Sequence, residues 1–255
     1  MNLFHRDLGG AGRPPLVVLH GLLGSSRNWL TAGAELAADF QVYALDLRNH
    51  GRSPHAAEMG YPALVADVLG WLDAQGLARV TLLGHSLGGK VAMALACREP
   101  SRVARLVVVD IAPKDYPDKV ERAEFAAMNA LRLETIKTRG DAERAMEPLV
   151  SDWALRKFLT TNLEQGPDGA WRWLINLPAL TAAVPELVKS PLAPEESYAG
   201  PARFILGGKS DFVRPGDDEL IRRHFPAAEM VTIAGVGHNP HMETRAEFVR
   251  AVIGG

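Results

Sequence analysis

Residues 80–94 constrain the fold of this chain more than any other part of its sequence. Residues 80–83 form an apolar run without alternation, which is typical of a parallel strand covered on both faces. From Lys90 onward the residues favour a helix. Between them lies the pattern Gly-x-Ser-x-Gly, centred on Ser86. A direct turn from strand to helix strains the corner residue and holds the Ser86 hydroxyl out at the carboxyl end of the strand.

The two glycines of this pattern, Gly84 and Gly88, fit such a corner because side chains at either position would collide. The N–H groups at the start of the following helix face the same space and favour negative charge there. These features predict that Ser86 is a nucleophile. The alternative is an ordinary glycine-rich turn in which Ser86 caps a helix.

Composition is that of a soluble globular protein, with 47% hydrophobic and 23% charged residues among 255. A net charge of −2 offers no basic surface for nucleic acid or for an anionic membrane. No apolar run is long enough for a signal peptide or a membrane span, so we expect a cytoplasmic protein without a membrane partner. The single cysteine, Cys97, is expected to be a core thiol.

Alternating strand and helix patterns predict an α/β fold with a mostly parallel, doubly wound sheet. An edge strand is predicted at residues 3–8. Apolar runs predict buried strands at 16–19, 41–45, 80–83, 103–109, 203–206 and 229–233, and helical spacing appears at about 28–38, 61–75 and 244–252.

The alternation stops at about residues 113–196, where no convincing strand is visible. Helical segments are predicted there instead, at 119–133, 141–150 and 153–163, with shorter pieces around 171–187. We therefore expect one domain over residues 1–255, with a helical cap inserted at about 113–196. Such a cap would wall a mostly apolar pocket above the strand ends.

Loops at the carboxyl ends of strands build the site in an open α/β sheet. The glycine-punctuated loop at residues 20–24 is expected to present the backbone N–H of Leu22. The N–H of Leu87, directly after Ser86, is the second expected donor. Two donors aimed at a developing oxyanion form the hole that acyl transfer requires. A tight structural turn is the alternative for residues 20–24.

A base and an acid are needed to activate the serine. His238 follows the last strand on a glycine-rich loop and is expected to take the proton from Ser86 and return it to the leaving group. A buried carboxylate must orient the imidazole and stabilise its charged form. Asp110 and Asp211 both follow strands near the site, and the sequence slightly favours Asp211. The chain order serine, acid, histidine is an established triad order.

Several other polar residues near the expected site receive no catalytic role. Asp46 and Arg48 are expected to brace their loop, and His50 is expected to be a packed loop histidine. His241 and Glu243 suggest a metal site, but no third ligand has suitable spacing, so no metal is expected.

The chain resembles an α/β-hydrolase of the YbfF / abhydrolase-domain-11 esterase group over nearly its whole length. This resemblance implies esterase or thioesterase activity on acyl substrates without a cofactor. Several members keep the aspartate at Asp110 and lack the one at Asp211, whereas the wider superfamily favours Asp211. Members often carry a tryptophan where this chain has Asn239, so their acyl specificity does not transfer. The motifs that carry the resemblance are residues 20–25, 46–51, 84–90, 109–113, 171–173 with 176–178, and 235–238.

The leading prediction is a serine carboxylic-ester hydrolase that acts on small-molecule acyl esters, or acyl thioesters, through an acyl-enzyme intermediate. The alternatives are a carbon–carbon hydrolase or lyase of the same fold, and a non-catalytic ligand receptor. The sequence leaves the acyl chain length, the leaving group and the oligomeric state open.

Overall fold

The computed structural model describes residues 1–254 and is built around a seven-stranded sheet, with a separate two-stranded sheet formed by β6 and β7. The strands are β1 His5–Asp7, β2 Pro15–Leu19, β3 Gln41–Leu45, β4 Val80–His85, β5 Val103–Val109, β6 Leu163–Gln165, β7 Trp171–Trp173, β8 Ala202–Gly207 and β9 Ala228–Ile233. The helices are α1 Leu30–Leu36, α2 Tyr61–Ala74, α3 Leu87–Arg98, α4 Ala123–Ala130, α5 Arg139–Met146, α6 Trp153–Thr160, α7 Leu177–Leu187, α8 Asp217–His224, α9 Pro240–Glu243 and α10 Arg245–Ile253.

Strand order in the large sheet is β1-β3-β2-β4-β5-β8-β9. Only the edge strand β1 runs antiparallel to its neighbour; the other strand pairs of this sheet are parallel. The register pairs Leu19 with Gly84, Gly84 with Val108, and Val109 with Ile205. The carboxyl ends of β2, β4, β5 and β8 therefore meet at one edge of the sheet.

Apolar side chains fill a core on each face of the sheet. Val17, Leu82 and Val108 point to the face that is covered by α2 and α3. Leu16 and Val107 point to the opposite face, which packs against α1 and α10. The strands read as continuous apolar runs because both of their faces are buried. The predicted α/β class and mostly parallel, doubly wound sheet are thus confirmed.

Most sequence-predicted elements match observed ones within two or three residues, and strands β3 and β5 match at both ends. The helices α8 and α9 were not foreseen. Helix α9 has only four residues, and α8 carries mainly charged side chains with Ile221 and His224 buried. Neither presents the wide apolar stripe by which a surface helix is recognised in sequence.

Residues 113–196, which we call the cap segment, contain α4 to α7, but they also contain a β-hairpin. The prediction that this segment lacks strands was wrong, because β6 pairs antiparallel with β7. Each strand has three residues, too few to show alternation. The turn at residues 166–169, Gly-Pro-Asp-Gly, was the available signal. Its Gly169 has φ 78° and donates its N–H to Gly166 O at 2.9 Å.

The end of α7 is one of the places where the cap segment is held to the sheet domain. Tyr61 Oη donates to Leu187 O at 2.5 Å, and the buried Lys90 Nζ donates to the carbonyls of Val188 and Lys189 at 3.0 and 2.5 Å. The carbonyls at a helix end lack intrahelical partners and attract a cation. Burial lowers the pKa of Lys90 to about 7. Helix α7 is therefore fixed to α2 and α3, the latter being the helix that follows Ser86.

No helix within residues 1–254 combines the length and apolar character that crossing a bilayer would require.

Candidate active site

Ser86 lies at the corner between β4 and α3, as the sequence predicts, with φ 51° and ψ −116°. A Cβ on Gly84 would lie 2.1 Å from Gly88 O, and a Cβ on Gly88 would lie 2.5 Å from Leu19 O. Both distances are too short for real Cβ contacts, so glycine is required at each position. The tight corner leaves the Ser86 side chain facing a cavity at the carboxyl edge of the sheet.

Backbone strain is concentrated at this edge. Leu23, Asn49, Ser86 and Asp110 are the non-glycine residues with positive φ in the described chain, at 62°, 64°, 51° and 53°. They lie in the loops after β2, β3, β4 and β5, which are adjacent strands. Such conformations cost about 1–3 kcal/mol each and persist where the surrounding structure enforces them, often in functional sites.

Asp110 is the carboxylate that contacts His238. Its Oδ2 lies 2.7 Å from His238 Nδ1 and also accepts a hydrogen bond from Ser210 Oγ. Its Oδ1 accepts the N–H of Gly207 at 2.8 Å. The Asp110 side chain is 0% exposed, so it is a buried carboxylate with partners on both oxygens.

Asp211, the slightly favoured acid, is placed elsewhere. Its side chain is 61% exposed and its Oδ2 accepts a hydrogen bond from Lys119 Nζ at 2.8 Å. That bond lowers the pKa of Asp211 below its ordinary value. The slight preference for Asp211 therefore finds no support in this geometry, because its carboxylate is turned to the surface while the Asp110 carboxylate contacts His238 Nδ1. Sequence alone places both residues after strands but does not give their side-chain directions.

Three neighbours fix the position of His238. Its ring stacks on Phe212 with centroids 3.8 Å apart and planes 13° from parallel. Its carbonyl lies 2.8 Å from His85 Nε2, which must donate because a carbonyl can only accept. Burial holds the pKa of His85 well below its ordinary value, so this ring is a neutral donor. The Glu243 carboxylate accepts the N–H groups of Gly237 and Asn239 on either side of His238, at 2.8 and 3.1 Å.

Ser86 and His238 line one cavity of about 590 Å³, which lies under helix α6 of the cap segment. Leu155 and Phe158 of α6 contribute to a lining that is mostly apolar. Within residues 1–254 there is no hydrogen bond between Ser86 Oγ and the His238 ring. Catalytic hydrogen bonds are often long before substrate binds and shorten only in the complex.

The residues of the two expected oxyanion donors border the space beside Ser86. Leu22 and Leu87 both border the cavities at Ser86. Neighbouring N–H groups already have acceptors, since Leu23 donates to His50 and Gly88 donates to His20 O at 3.1 Å. Across residues 1–254 the structure gives the N–H groups of Leu22 and Leu87 no acceptor. These two donors are therefore available to a negatively charged oxygen.

Leu23, the strained residue next to Leu22, is held through both of its peptide groups. Its N–H donates to His50 Nε2 at 3.2 Å, and its carbonyl accepts from Asn162 Nδ2 of the cap segment at 2.8 Å. His50 Nδ1 lies 2.9 Å from Arg48 O and must donate to it. His50 is thus neutral with its proton on Nδ1. The packed-histidine prediction for His50 omitted this role of orienting the loop.

Asp46 and Arg48 brace their loop, but not by pairing with each other. The Asp46 carboxylate accepts the backbone N–H groups of Ser26 and Arg52 at 2.6 and 2.8 Å. Arg48 Nε donates to Asp67 Oδ2 of α2 at 2.6 Å, and both of these side chains are buried. The loop between β3 and α2 is therefore fixed to elements on two sides.

The metal alternative finds no support in the positions of His241 and Glu243. His241 is buried and stacks on Trp29, with centroids 4.4 Å apart, and Glu243 is occupied by the two N–H groups described above. No group of three His, Cys, Asp or Glu residues in the described part of the chain is arranged to hold a metal ion.

Comparison with known proteins gives consistent results. The sequence profile of the α/β-hydrolase fold matches residues 14–244. The chain is 38% identical to "sn-1-specific diacylglycerol lipase ABHD11" of Mus musculus, over 96% of this chain and 81% of that protein. It is 37% identical to "Esterase YbfF" of Escherichia coli strain K12, over 93% and 91% of the two chains. A solved structure titled "Marine microorganism esterase" superimposes with a TM-score of 0.95 at 36% identity, covering 99% of this chain and 98% of the other.

The contact between Asn162 and Leu23 can be tested by the Asn162→Ala variant. We expect kcat for p-nitrophenyl butyrate to fall about tenfold with little change in KM, because a loosened Leu23 misaligns the Leu22 N–H. The neighbouring Thr161→Ala variant, whose hydroxyl bonds only within α6, is the control and should keep wild-type kcat. Equal kcat values for the two variants would contradict this role.

Burial lowers the pKa of His50 to about 3, from an ordinary value of 6.5. The unfolded chain takes up a proton at this position below pH ~6.5 while the folded chain does not, so stability is complete above that pH and falls toward pH ~3. Between these two pH values, one such histidine lowers the free energy of unfolding by about 1.4 kcal/mol for each pH unit.

In urea unfolding between pH 4.5 and 8, His50→Gln should therefore lose stability with falling pH less steeply than wild type, by about one proton's contribution. His55→Gln, which removes an exposed histidine, is the control and should keep the wild-type slope. Identical slopes in all three proteins would show that His50 does not stay neutral when folded.

Proposed function

The chain belongs to the α/β-hydrolase family and is a carboxylic ester hydrolase, and we propose that it acts through a Ser86–His238–Asp110 triad and an acyl-enzyme intermediate. The contact between Asp110 Oδ2 and His238 Nδ1 is the observation that supports this assignment most directly. It directs Nε2 of the same ring away from the carboxylate, toward the cavity that His238 shares with Ser86.

In the proposed mechanism, His238 Nε2 takes the proton of Ser86 as its Oγ attacks the ester carbonyl carbon. The resulting oxyanion accepts hydrogen bonds from the N–H groups of Leu22 and Leu87. Collapse of the tetrahedral intermediate breaks the bond to the leaving group, which receives the proton from His238. Asp110 keeps the imidazole in one orientation and stabilises its charged form.

The second half of the cycle uses water in place of Ser86. His238 removes a proton from a water molecule as that water attacks the acyl-enzyme, and the same two N–H groups stabilise the second oxyanion. Return of the proton to Ser86 Oγ releases the carboxylic acid. These residues balance every proton in the cycle, so the proposal requires no metal or cofactor.

The cavity suggests which part of the substrate lies where. Its mostly apolar lining, which includes Leu155 and Phe158, suits an acyl chain. The same machinery accepts esters and thioesters. The names of the relatives, an esterase and a diacylglycerol lipase, support acyl esters as the substrate class. We therefore propose small-molecule acyl esters as substrates, with acyl thioesters as a related group.

The rival acids can be separated by hydrolysis of p-nitrophenyl butyrate. Asp110→Asn should lower kcat by about 10³–10⁴-fold, because His238 loses its orienting carboxylate. Asp211→Asn is the matched control and should stay within about twofold of wild type, since it loses only an exposed ion pair with Lys119. The reverse pattern would overturn the assignment of Asp110.

The nucleophile can be tested separately with a fluorophosphonate probe followed by peptide mass spectrometry. We expect the probe to modify Ser86 in wild type and to leave Ser86→Ala unmodified. Folded wild-type protein that resists the probe, or that is labelled at another serine, would contradict the proposed acyl-enzyme.

A further inference from the structure

A second cavity lies beside the one at Ser86 and is bordered by four arginine side chains. These are Arg6, Arg27, Arg52 and Arg139, and we call the cavity that they border the arginine cleft. Its volume is about 100 Å³. None of its lining residues belongs to the proposed triad or oxyanion hole. The catalytic mechanism therefore gives this concentration of positive charge no role.

The four guanidinium groups have no carboxylate partners. Within residues 1–254, ion pairs are formed by many other cations but by none of these four. The cations that border the Ser86 cavities all have partners. There Lys119 pairs with Asp211, Arg122 pairs with Glu124, and Lys90 donates to backbone carbonyls. The positive charge of the four arginines is thus not neutralised by ion pairs.

Neutral contacts hold these like charges together. Arg6 and Arg52 both lie over the ring of Phe4, at 5.5 and 5.4 Å from its centroid. Arg6 Nε also donates to Ser26 Oγ at 3.1 Å, and Arg139 Nη2 donates to Leu163 O at 2.8 Å. These contacts fix the side chains while leaving other N–H groups free. Two cations on one ring repel each other, and an anion between them would relieve that repulsion.

The two acidic residues at the cleft cancel only part of this charge. Asp46 is buried and both of its oxygens accept backbone N–H groups, as described above. Glu164 is exposed on β6, and within residues 1–254 it forms no ion pair, since Arg172, opposite it on β7, pairs with Asp168. Four positive and two negative side chains leave the cleft positive. Uncharged polar groups of Ser25, Thr161 and Asn162 also border it.

We propose that the arginine cleft binds a phosphate group. Guanidinium groups present paired N–H donors that match phosphate oxygens, and several of them around one cavity suit a doubly charged anion. A carboxylate ligand would engage fewer of the four arginines. The mixture of hydroxyl and amide groups with guanidinium groups also fits the several acceptor oxygens of a phosphate.

The position of the cleft suggests what carries the phosphate. Gly24 and Asn28 line the Ser86 cavity, whereas Ser25 and Arg27, from the same turn, line the cleft. In the same way, Phe158 of α6 lines the Ser86 cavity, and Asn162, just after α6, lines the cleft. A molecule that reaches across this wall would place its phosphate in the cleft and its acyl carbonyl near Ser86.

We assign the phosphate to the leaving group, because the mostly apolar lining of the Ser86 cavity suits an acyl chain better than a dianion. The substrate class would then be an acyl ester or thioester whose alcohol or thiol part is phosphorylated. This assignment rests on the proposed function. Binding of phosphate in the cleft does not, and the alternative source is a free phosphate compound that binds beside the active site.

The binding step can be tested by calorimetry with inorganic pyrophosphate at low ionic strength, where ion pairing is strongest. The double variant Arg27→Gln/Arg52→Gln should weaken binding at least tenfold relative to wild type. Arg223→Gln/Arg250→Gln removes two exposed arginines from α8 and α10 and is the matched control, with unchanged binding expected. Absence of binding to wild type, or equal weakening in both double variants, would overturn the phosphate site.

The leaving-group assignment can be tested with two pairs of substrates that differ in the distance between acyl carbonyl and phosphate. The first pair is 1-butyrylglycerol 3-phosphate and 1-butyrylglycerol, and the second is butyryl-coenzyme A and S-butyryl-N-acetylcysteamine. For at least one phosphorylated member, Arg27→Gln/Arg52→Gln should raise KM about tenfold with kcat nearly unchanged, and the unphosphorylated partner should be unaffected. If pyrophosphate binds but neither pair responds, the leaving-group assignment is wrong and the ligand is a separate phosphate compound.

Hydrolysis of p-nitrophenyl butyrate tests the proposed esterase function independently of the proposed phosphate site. Both double variants should retain wild-type activity on this unphosphorylated ester, because neither pair of arginines touches Ser86 or His238. A wild-type protein that binds pyrophosphate but hydrolyses no ester would refute the proposed function and leave the phosphate site standing. A protein that hydrolyses the ester but binds no phosphate would do the reverse.

Discussion

The direct turn from β4 into α3 is the constraint on which the rest of the site depends. It requires glycine at 84 and 88, and it forces Ser86 to φ 51°. Because β2, β3, β4 and β5 run parallel, the loops after β2, β3 and β5 reach the same edge of the sheet as Ser86. Each of these three loops carries one non-glycine residue with positive φ. The sheet and its helices stabilise these conformations, so the fold itself sets the backbone positions of Ser86 and Asp110.

Electrostatics distinguishes one histidine from the others at this edge. His50, His85 and His241 are buried and kept neutral, because burial lowers the pKa of each ring. Among the histidines within residues 1–254, His238 is the one whose ring nitrogen contacts a carboxylate, that of Asp110. A neutral ring can support a loop by donating and accepting hydrogen bonds. Only a ring beside a buried negative charge is prepared to carry a proton during a reaction.

Features set by local pattern were predictable from sequence, whereas features set by side-chain direction were not. The apolar runs and the Gly-x-Ser-x-Gly corner predicted the sheet and the place of Ser86. The choice between Asp110 and Asp211 depended on which carboxylate turns inward, and three-residue strands such as β6 are too short to show a period. Ser210 and Asn162 contact residues that lie 100 and 139 positions away, and Glu243 binds backbone N–H groups of a folded loop. Nothing in the local sequence of these three residues predicts either role.

The unequal attachment of the cap segment has a consequence for how a reactant enters and leaves. Lys90 and Tyr61 tie the end of α7 to the helices below it, and α6 instead roofs the large cavity with exposed Trp153 at its start. Within residues 1–254 the side chains of α6 form hydrogen bonds and ion pairs only with the cap segment itself, so α6 can move away from the cavity at a lower cost in bonds than the end of α7. A reactant would then enter between α6 and residues 238–243, which border the same cavity.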